Sequence, residues 1–572
     1  WEKSESLKYL KKYQWQIYFV FLLVFSQAMC ELQLPNLMSQ IIDYGVLKGE
    51  MWYIYKRGLF MLGFALVSVS LTVLVSFLSS KIAAVVAMDL REQVFLKVSQ
   101  FSLAEVDEFG IASLITRSTN DVTQVQTVLA MVLRMVVFAP IMAIGGIIMA
   151  ITKNPKMSPI IFVAILFLVS MFIVVLSVGI PKFKLIQTLT DKLNLRTREN
   201  IVGIRVIRAF NAQTQMQQKF LDVNGELTRT SLFVNRVMSF FHPGITLIQN
   251  LSAIAVIYYG CGFIGRGELL VGDMIAFLQY SLQIIFSFSM ISMVGIMLPK
   301  AMVSLNRIGE VCDTPISISD PKQTQTPDLD NCPYLEFKNV SFGYKGASNA
   351  VVSELSFTAR LGQTTAIIGS TGSGKSTIAK LIPRFYDVTE GEIKIGGMNI
   401  KHMAQKKLRE LLAYVPQKSV LFSGTVEENI NYTMQDKPFE ALKNAAKISQ
   451  SEEFIEAMLQ KYDSVISEGG TNLSGGQKQR LSMARAIFKA PKIYIFDDSF
   501  SALDYRTDSN LRSALKEVTK DEMVIIISQR INTIMNADNI IVLDNGKIVG
   551  QGTHNELLET CQIYREIKQS QD

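Results

Sequence analysis

Residues 363–380 read Gln-Thr-Thr-Ala-Ile-Ile-Gly-Ser-Thr-Gly-Ser-Gly-Lys-Ser-Thr-Ile-Ala-Lys. A short apolar strand over 365–368 runs into Gly369, Ser370, Thr371, Gly372, Ser373, Gly374, Lys375 and Ser376, and a helix follows from Thr377. Glycines let backbone N–H groups curl around phosphate oxygens, and the helix N-terminus adds its dipole. In this context Lys375 reaches the β- and γ-phosphates of a nucleotide, and Ser376 offers its hydroxyl to Mg2+. A chance glycine-rich turn would not bring strand, loop and helix in that order.

Other parts of a nucleotide site follow. Tyr344, closing Val-Ser-Phe-Gly-Tyr, precedes the loop, and an aromatic ring there can stack on adenine. Gln417 closes Tyr414-Val-Pro-Gln417 at the end of a short strand, where its amide can ligate Mg2+ and sense a γ-phosphate. Leu473, Ser474, Gly475, Gly476 and Gln477 open a helix over 477–488, a second phosphate-binding helix start. The apolar strand 493–497 ends in Asp497, suited to holding Mg2+ through water. Ser501-Ala-Leu-Asp504 follows at once. ATP and Mg2+ are the expected ligands.

The rest of the 572-residue chain is unlike a soluble protein: 49% of residues are hydrophobic and only 19% charged. Soluble chains carry about 25% charge. The long apolar runs lie before residue 300, and after Pro333 the pattern is that of a soluble α/β domain. A bilayer span takes about 20 apolar residues. The candidates are 15–34, 58–80, 132–151, 159–180, 241–264 and 274–298. Polar stretches with helical periodicity (81–100 with 116–128, and 182–198 with 216–237) carry spans beyond the bilayer into two long loops. Segment 181–236 has ten Lys/Arg against four Asp/Glu, which places it in the cytoplasm. An even number of spans then returns the chain there. Residues 4–13, with Lys3, Lys8, Lys11 and Lys12 in or beside them, read as an interfacial helix on the cytoplasmic face.

The first apolar run passes into Glu31 and Pro35 with no small-residue cleavage site, so no cleavable signal peptide is expected. Five cysteines form no close pair, which points to free thiols in a reducing compartment. The net charge of +7 comes without a basic stripe interleaved with aromatics, so nucleic acid is not an expected partner. Glu31 and Arg134 are costly in lipid and are candidates for a substrate cavity; the alternatives are a structural ion pair or an Arg near the inner interface. Asp43 either caps a helix or joins an extracellular gate. Phe277, Phe286, Phe288, Met290, Met293 and Met297 could line an adaptable wall, with ordinary helix packing the plainer reading.

A phosphate loop, then Leu-Ser-Gly-Gly-Gln, then an apolar strand ending in Asp, all behind six spans, resembles a half-transporter of the ABC superfamily. The arrangement resembles that of the multidrug-type (type IV) exporters, and the resemblance covers essentially the whole chain. The resemblance implies an α-helical six-span transmembrane domain over 1–310 and a linker over 311–333. An α/β RecA-like nucleotide-binding domain with a helical subdomain follows over 334–572. It further implies coupling helices at the loop tips, near 103–113 and 206–214, with Glu468-Gly-Gly470 in the segment that touches such tips. The implied activity is an ABC-type transport ATPase in the cell membrane, with the nucleotide-binding domain and the N-terminus cytoplasmic. Membrane lipid and a small amphipathic substrate are its expected partners.

Two positions depart from the family pattern. The Glu that follows the strand-terminal Asp, and polarises the attacking water, is here Asp498. Asp is one methylene shorter, so its carboxylate retreats by about 1.3–1.5 Å, and misplacement on that scale costs about 100-fold in rate. The switch His after strand 523–527 is here Gln529, and His242, His402 and His554 all lie elsewhere. Gln can hydrogen-bond a γ-phosphate but carries no proton switch. ABC domains pair head to tail, so the phosphate loop of one faces the signature of the other. The expectation is a heterodimeric exporter. This chain binds ATP at a degenerate, slow site and lends Leu473–Gln477 to a competent site on a non-identical partner. The alternatives are a homodimeric exporter or lipid flippase, and an ATP-gated channel or sensor.

Overall fold

Apolar runs of this length leave their backbone one way to satisfy its hydrogen bonds in lipid, which is as continuous helix. The computed structural model describes residues 12–321, 323, 327–347, 349–433 and 435–571. Its first part is helical throughout: α1 Gln14–Gln40, α2 Met51–Ser99, α3 Leu103–Phe109, α4 Ile111–Thr116 and α5 Val122–Lys153. Then come α6 Ser158–Val202, α7 Ile204–Ala209, α8 Gln213–Ser239, α9 Phe241–Gly265 and α10 Val271–Asp313. Among the described residues, six helical segments are long and apolar enough to cross a membrane. The 49 residues of α2 far exceed the ~20 that a bilayer needs, so the span continues into its loop without a break.

The loop tips differ in detail from the sequence reading. The expected helix at 103–113 is two helices, because Gly110 takes φ 74° and stops α3. The expected helix at 206–214 lies earlier, as α7, and is followed by Asn211 at φ 52°. The expected N-terminal helix at 4–13 falls outside the described residues apart from Lys12 and Tyr13, which both bind the Asp89 carboxylate.

The chain divides into two compact units, Trp1–Ser99 with Ala112–Thr314, and Gln100–Ile111 with Pro315–Asp572. In the first, Ala28 and Leu32 of α1, Met142 of α5 and Phe277, Tyr280 and Ile284 of α10 form a buried core. Tyr280 donates its hydroxyl to Leu32 O at 2.9 Å. Phe277 is fully buried in helix packing, while Phe286 is exposed. Asp43 lies in a widened turn, Ile41–Val46, and is buried. Its Oδ1 accepts from Gly272 N at 2.6 Å, so it caps the start of α10, a helix far away in sequence. Ser39 Oγ stands 2.7 Å from Asp273 Oδ1, which also pairs with Lys153 Nζ at 2.7 Å.

The second unit is built on strands: β1 Tyr334–Phe342, β2 Val352–Arg360, β3 Thr364–Gly369, β4 Glu390–Ile395, β5 Met398–Asn399 and β6 Leu412–Val415. They continue with β7 Gly424–Thr425, β8 Val465–Ile466, β9 Ile493–Asp497, β10 Met523–Ile527, β11 Asn539–Asp544 and β12 Lys547–Gly552. The helices that follow in number are α11 Lys375–Leu381, α12 Gln405–Glu410, α13 Val426–Ile430, α14 Phe439–Ile448 and α15 Glu452–Glu456. The last are α16 Gly475–Lys489, α17 Tyr505–Val518, α18 Ile531–Ile534, α19 His554–Thr560 and α20 Gln562–Gln569. The main sheet runs β12-β11-β3-β10-β9-β6, parallel except for β12, and an antiparallel sheet runs β2-β1-β4-β5. Every residue of β9 and β10 is buried, as expected of a parallel sheet covered on both faces. Register sets Ile527 of β10 beside Ile367 of β3 and Asp497 of β9, so β9 and β10 end together and β3 runs two residues further into the phosphate loop.

Near the end of this unit, His554 Nδ1 lies 2.7 Å from the hydroxyl of fully buried Tyr564. Burial, helped by Lys568, lowers the His554 pKa below its ordinary 6.5. The unfolded chain therefore binds the proton more tightly, and the stability held above that ordinary value is lost as pH falls below it. Between about pH 7.5 and pH 5.5, thermal unfolding of wild type should drop further than that of His554→Gln, which keeps a partner for Tyr564.

Candidate functional site

Ligands of open α/β sheets bind beyond the carboxyl ends of the strands, and the expected site residues gather there. The loop from Gly369 to Gly374 links β3 to α11. Gly372 (φ 85°) and Gly374 (φ 94°) hold backbone conformations that L side chains rarely adopt. A Cβ on Gly374 would lie 2.5 Å from Val352 Cγ1, whereas one on Gly372 meets open space. Ser370 and Thr371 are exposed, and Ser373 is buried with its hydroxyl unpartnered among the described residues. Lys375 is 7% exposed and donates to Gly369 O and Ser370 O, each at 2.7 Å. Burial lowers its pKa, offset in part by Asp498 and Asp497.

Ser376 Oγ donates to Asp497 Oδ1 at 2.9 Å, and Tyr414 Oη donates to Asp497 Oδ2 at 3.2 Å. Burial raises the Asp497 pKa, and these two hydrogen bonds work against the rise. Gln417 Nε2 donates to Asp498 Oδ2 at 3.2 Å rather than to the Ser376–Asp497 pair. Asp498 stands at φ 48° with its N–H on Ile527 O, and burial raises its pKa against the Gln417 hydrogen bond. Oxygen donors from Ser376, Gln417 and Asp497 are the kind a hard cation takes. The orphan Ser373 hydroxyl and the open Gly372 fit phosphate oxygens. The residues present therefore suit a nucleotide with Mg2+.

Tyr344 is half-buried. Its hydroxyl lies 3.2 Å from Thr377 Oγ1, and its ring meets Tyr386 edge-on at 5.3 Å between centroids. Gln529 is exposed just past β10, where Ser528 N–H donates to Ile367 O at 3.2 Å. The tip helix α3 joins this unit: Tyr386 Oη donates to Asp107 Oδ2 at 2.6 Å, and Lys345 pairs with Glu108 at 2.8 Å.

The signature helix begins at Gly475, two residues before the expected start. Ser474 caps it in a reciprocal box: Gln477 N donates to Ser474 Oγ at 3.3 Å, and Ser474 N to Gln477 Oε1 at 2.9 Å. Leu473 is buried beneath it. Gly475 lies within α16, is absent from the positive-φ glycines, and leaves open space around a Cβ. A Cβ on Gly476 would sit 3.2 Å from Ala502 O. Ser501 Oγ donates to Asp498 O at 2.8 Å, Arg530 Nη2 reaches Ser501 O at 3.0 Å, and Asp504 caps α17 through Thr507 N. Glu468–Gly470 forms a single turn.

Glu31 and Arg134 are not brought together. Glu31 accepts from Gln27 Nε2 and Ser68 Oγ, both at 3.1 Å, and Arg134 Nε donates to Ala130 O one turn back. Sequence reasoning missed the roles of Tyr414, Tyr386 with Asp107, and Arg530. Tyr414 is set by sheet order, since β6 lies beside β9 and pairs it with Ile495. The other contacts join residues far apart in sequence.

This geometry defines a P-loop ATPase domain in a chain that also carries six membrane-spanning helices. Comparison agrees: residues 17–288 match the ABC transporter transmembrane region, and 352–501 match the ABC transporter domain. An uncharacterized ABC transporter ATP-binding protein of Mycobacterium tuberculosis is 37% identical over 571 residues, 99% of this chain and 97% of that one. An ATP-dependent lipid A-core flippase of Haemophilus influenzae is 36% identical over 422 residues, 70% of this chain and 69% of that one. A solved bacterial Atm1-family ABC exporter with ATP bound superposes with TM-score 0.78 at 26% identity, covering 98% of each chain. The chain belongs to the ABC transporter family. It is a multi-pass membrane exporter whose cytoplasmic nucleotide-binding domain couples ATP hydrolysis to transport.

The two loop glycines give a graded test. Gly374→Ala adds a clash to an unfavourable φ and should weaken ATP binding by more than about tenfold, a change of ~1.4 kcal/mol. Gly372→Ala carries only a conformational cost of about 1 kcal/mol and should lose less. Calorimetric titration of the full chain with ATP distinguishes them.

Proposed function

We propose that this chain is one subunit of a heterodimeric exporter of amphipathic or lipid-like compounds, and that its own phosphate loop forms a slow ATP site. The observation that supports the reading is Asp498 and Gln529 at the two hydrolytic positions, in a site whose phosphate-binding parts are otherwise intact.

Binding follows from the residues around the loop. Lys375 is desolvated, hydrogen-bonded to loop carbonyls and only in part offset by Asp497 and Asp498, so a triphosphate adds the counter-charge that burial calls for. Tyr344 offers an aromatic face to adenine. Mg2+ would be held by Ser376, Asp497 and Gln417, and would neutralise charge developing on the β- and γ-phosphates. Turnover is where the site falls short. A general base has to be ionised and within hydrogen-bond reach of the water it activates. The Asp498 carboxylate is set back by one methylene, already takes a hydrogen bond from Gln417, and is pushed toward its neutral form by burial. Gln529 offers a hydrogen bond but no charge.

Ser474–Gln477, with Gly475 unobstructed by its own chain, is available to complete a partner's site. Ser501 and Asp504 flank the same face in sequence. A second reading, a homodimeric lipid exporter, draws on the flippase named among the relatives. In that case both sites carry Asp498 and Gln529.

The test is ATPase activity of the full chain alone in lipid nanodiscs. Wild type should turn over slowly, and Asp498→Glu with Gln529→His should raise the rate by more than about tenfold, given the ~100-fold cost of an Ångström-scale misplacement. Turnover of several per second by the unmodified chain would falsify the slow-site reading. So would a folded, ATP-binding double variant with no gain. With a competent partner present, Gly475→Glu should abolish nearly all hydrolysis by clash and like-charge repulsion, while Asp498→Asn leaves most of it.

A further inference from the structure

The loop that carries Gln529 is held from outside the nucleotide site. Gln571 Nε2 donates to Gln529 O at 2.6 Å, and Gln571 Oε1 accepts from Ile531 N at 2.8 Å. A primary amide presents a donor and an acceptor side by side. Here both engage one stretch of irregular backbone whose polar groups need partners. The flanking positions are pinned as well. Ser528 is tied to β3 through Ile367 O and accepts Arg530 N at 3.0 Å on its hydroxyl, and the Arg530 guanidinium reaches Ser501 O.

Packing delivers Gln571 to this spot. Tyr564 is fully buried, and Ile563 and Ile567 pack against the core that also contains Ile531 and Ile534 of α18. Tyr564, Ile567 and Gln571 are three and four residues apart, a spacing that keeps them on one helical face. Gln571 N–H continues the turn by donating to Lys568 O at 2.9 Å. The apolar stripe of α20 thus seats on the core beneath the switch loop and ends in the amide that grips it.

We propose that Gln571 is a positioning residue for the switch loop, and that the segment from α20 to Gln571 sets how well this chain distinguishes ATP from ADP. Gln529 is neutral, so no net charge draws it to a γ-phosphate. Its contact depends on the loop being held ready beforehand, because a neutral hydrogen bond is modest in net strength and is readily offset by the entropy of ordering a loose loop. Releasing the clamp loosens a contact that only ATP makes, and ADP has no γ-phosphate to lose it. The inference rests on the proposed reading of Gln529 as a γ-phosphate contact, which its place after Ser528, bonded to Ile367 O of β3, supports, and not on whether the partner subunit is identical. The ATPase test above can therefore fail while this one succeeds.

The experiment measures Mg2+-ATP and Mg2+-ADP affinities of the full chain in nanodiscs, with the unfolding midpoint as a control. Gln571→Ala removes both hydrogen bonds. Gln571→Glu keeps the acceptor for Ile531 N–H but faces an oxygen toward Gln529 O. Both should raise the Kd for ATP by about three- to tenfold, leaving the Kd for ADP and the midpoint unchanged. In a Gln529→Ala background, Gln571→Ala should add nothing further. Parallel loss of ATP and ADP affinity, unchanged ATP affinity in a folded variant, or an additive effect with Gln529→Ala would each overturn the proposal.

Discussion

The register of three buried parallel strands is the constraint on which the site depends. Ile527 of β10 pairs with Ile367 of β3 on one side and Asp497 of β9 on the other. A slip of one residue would turn each strand's side chains to the opposite face, and both faces are already filled. The Ser376–Asp497 hydrogen bond, the Gln417–Asp498 contact and the tie of Ser528, next to Gln529, to Ile367 O follow from that alignment. No single loop could impose it.

Burial and charge are opposed in this site. Burial opposes the charged form of Lys375 and also that of Asp497 and Asp498, and their mutual attraction offsets this only in part. Desolvation of this kind is relieved by ligands that bring opposite charge to each group. A polyphosphate answers the lysine, and a divalent cation answers the carboxylates. Anything that binds only the folded state stabilises it by mass action, so nucleotide is expected to tighten this unit as well as fuel it.

Much of the site was legible in the sequence because its residues lie in short runs of fixed order. The phosphate loop, Asp497 and the six spans came from local pattern alone. Local detail was harder. The signature helix starts two residues early because Ser474 and Gln477 cap it reciprocally, and glycine's low helix propensity hides the first two positions. The tip helices are cut by Gly110 and Asn211, whose left-handed backbone has no hydrophobic period to announce it. Glu31 and Arg134 were readable as costly, and their one-turn partners Gln27 and Ala130 follow from helical spacing, but Ser68 does not. The clamp of Gln571 on Gln529 and the bond of Tyr386 to Asp107 are long-range pairings that no window along the chain contains.

In the first unit, Asp43 and Gly272 bear on how the family varies. The Asp43 carboxylate fits because residue 272 has no side chain: a Cβ there would collide with Ser39 O and with the carboxylate itself. Any larger residue would expel the cap and cost the buried acid its backbone donor, leaving it the Ser39 hydroxyl at 3.3 Å, while loss of the acid would free room for a side chain. Among homologues, the two positions should therefore evolve as a pair, with glycine retained wherever the acid is and released wherever it has gone.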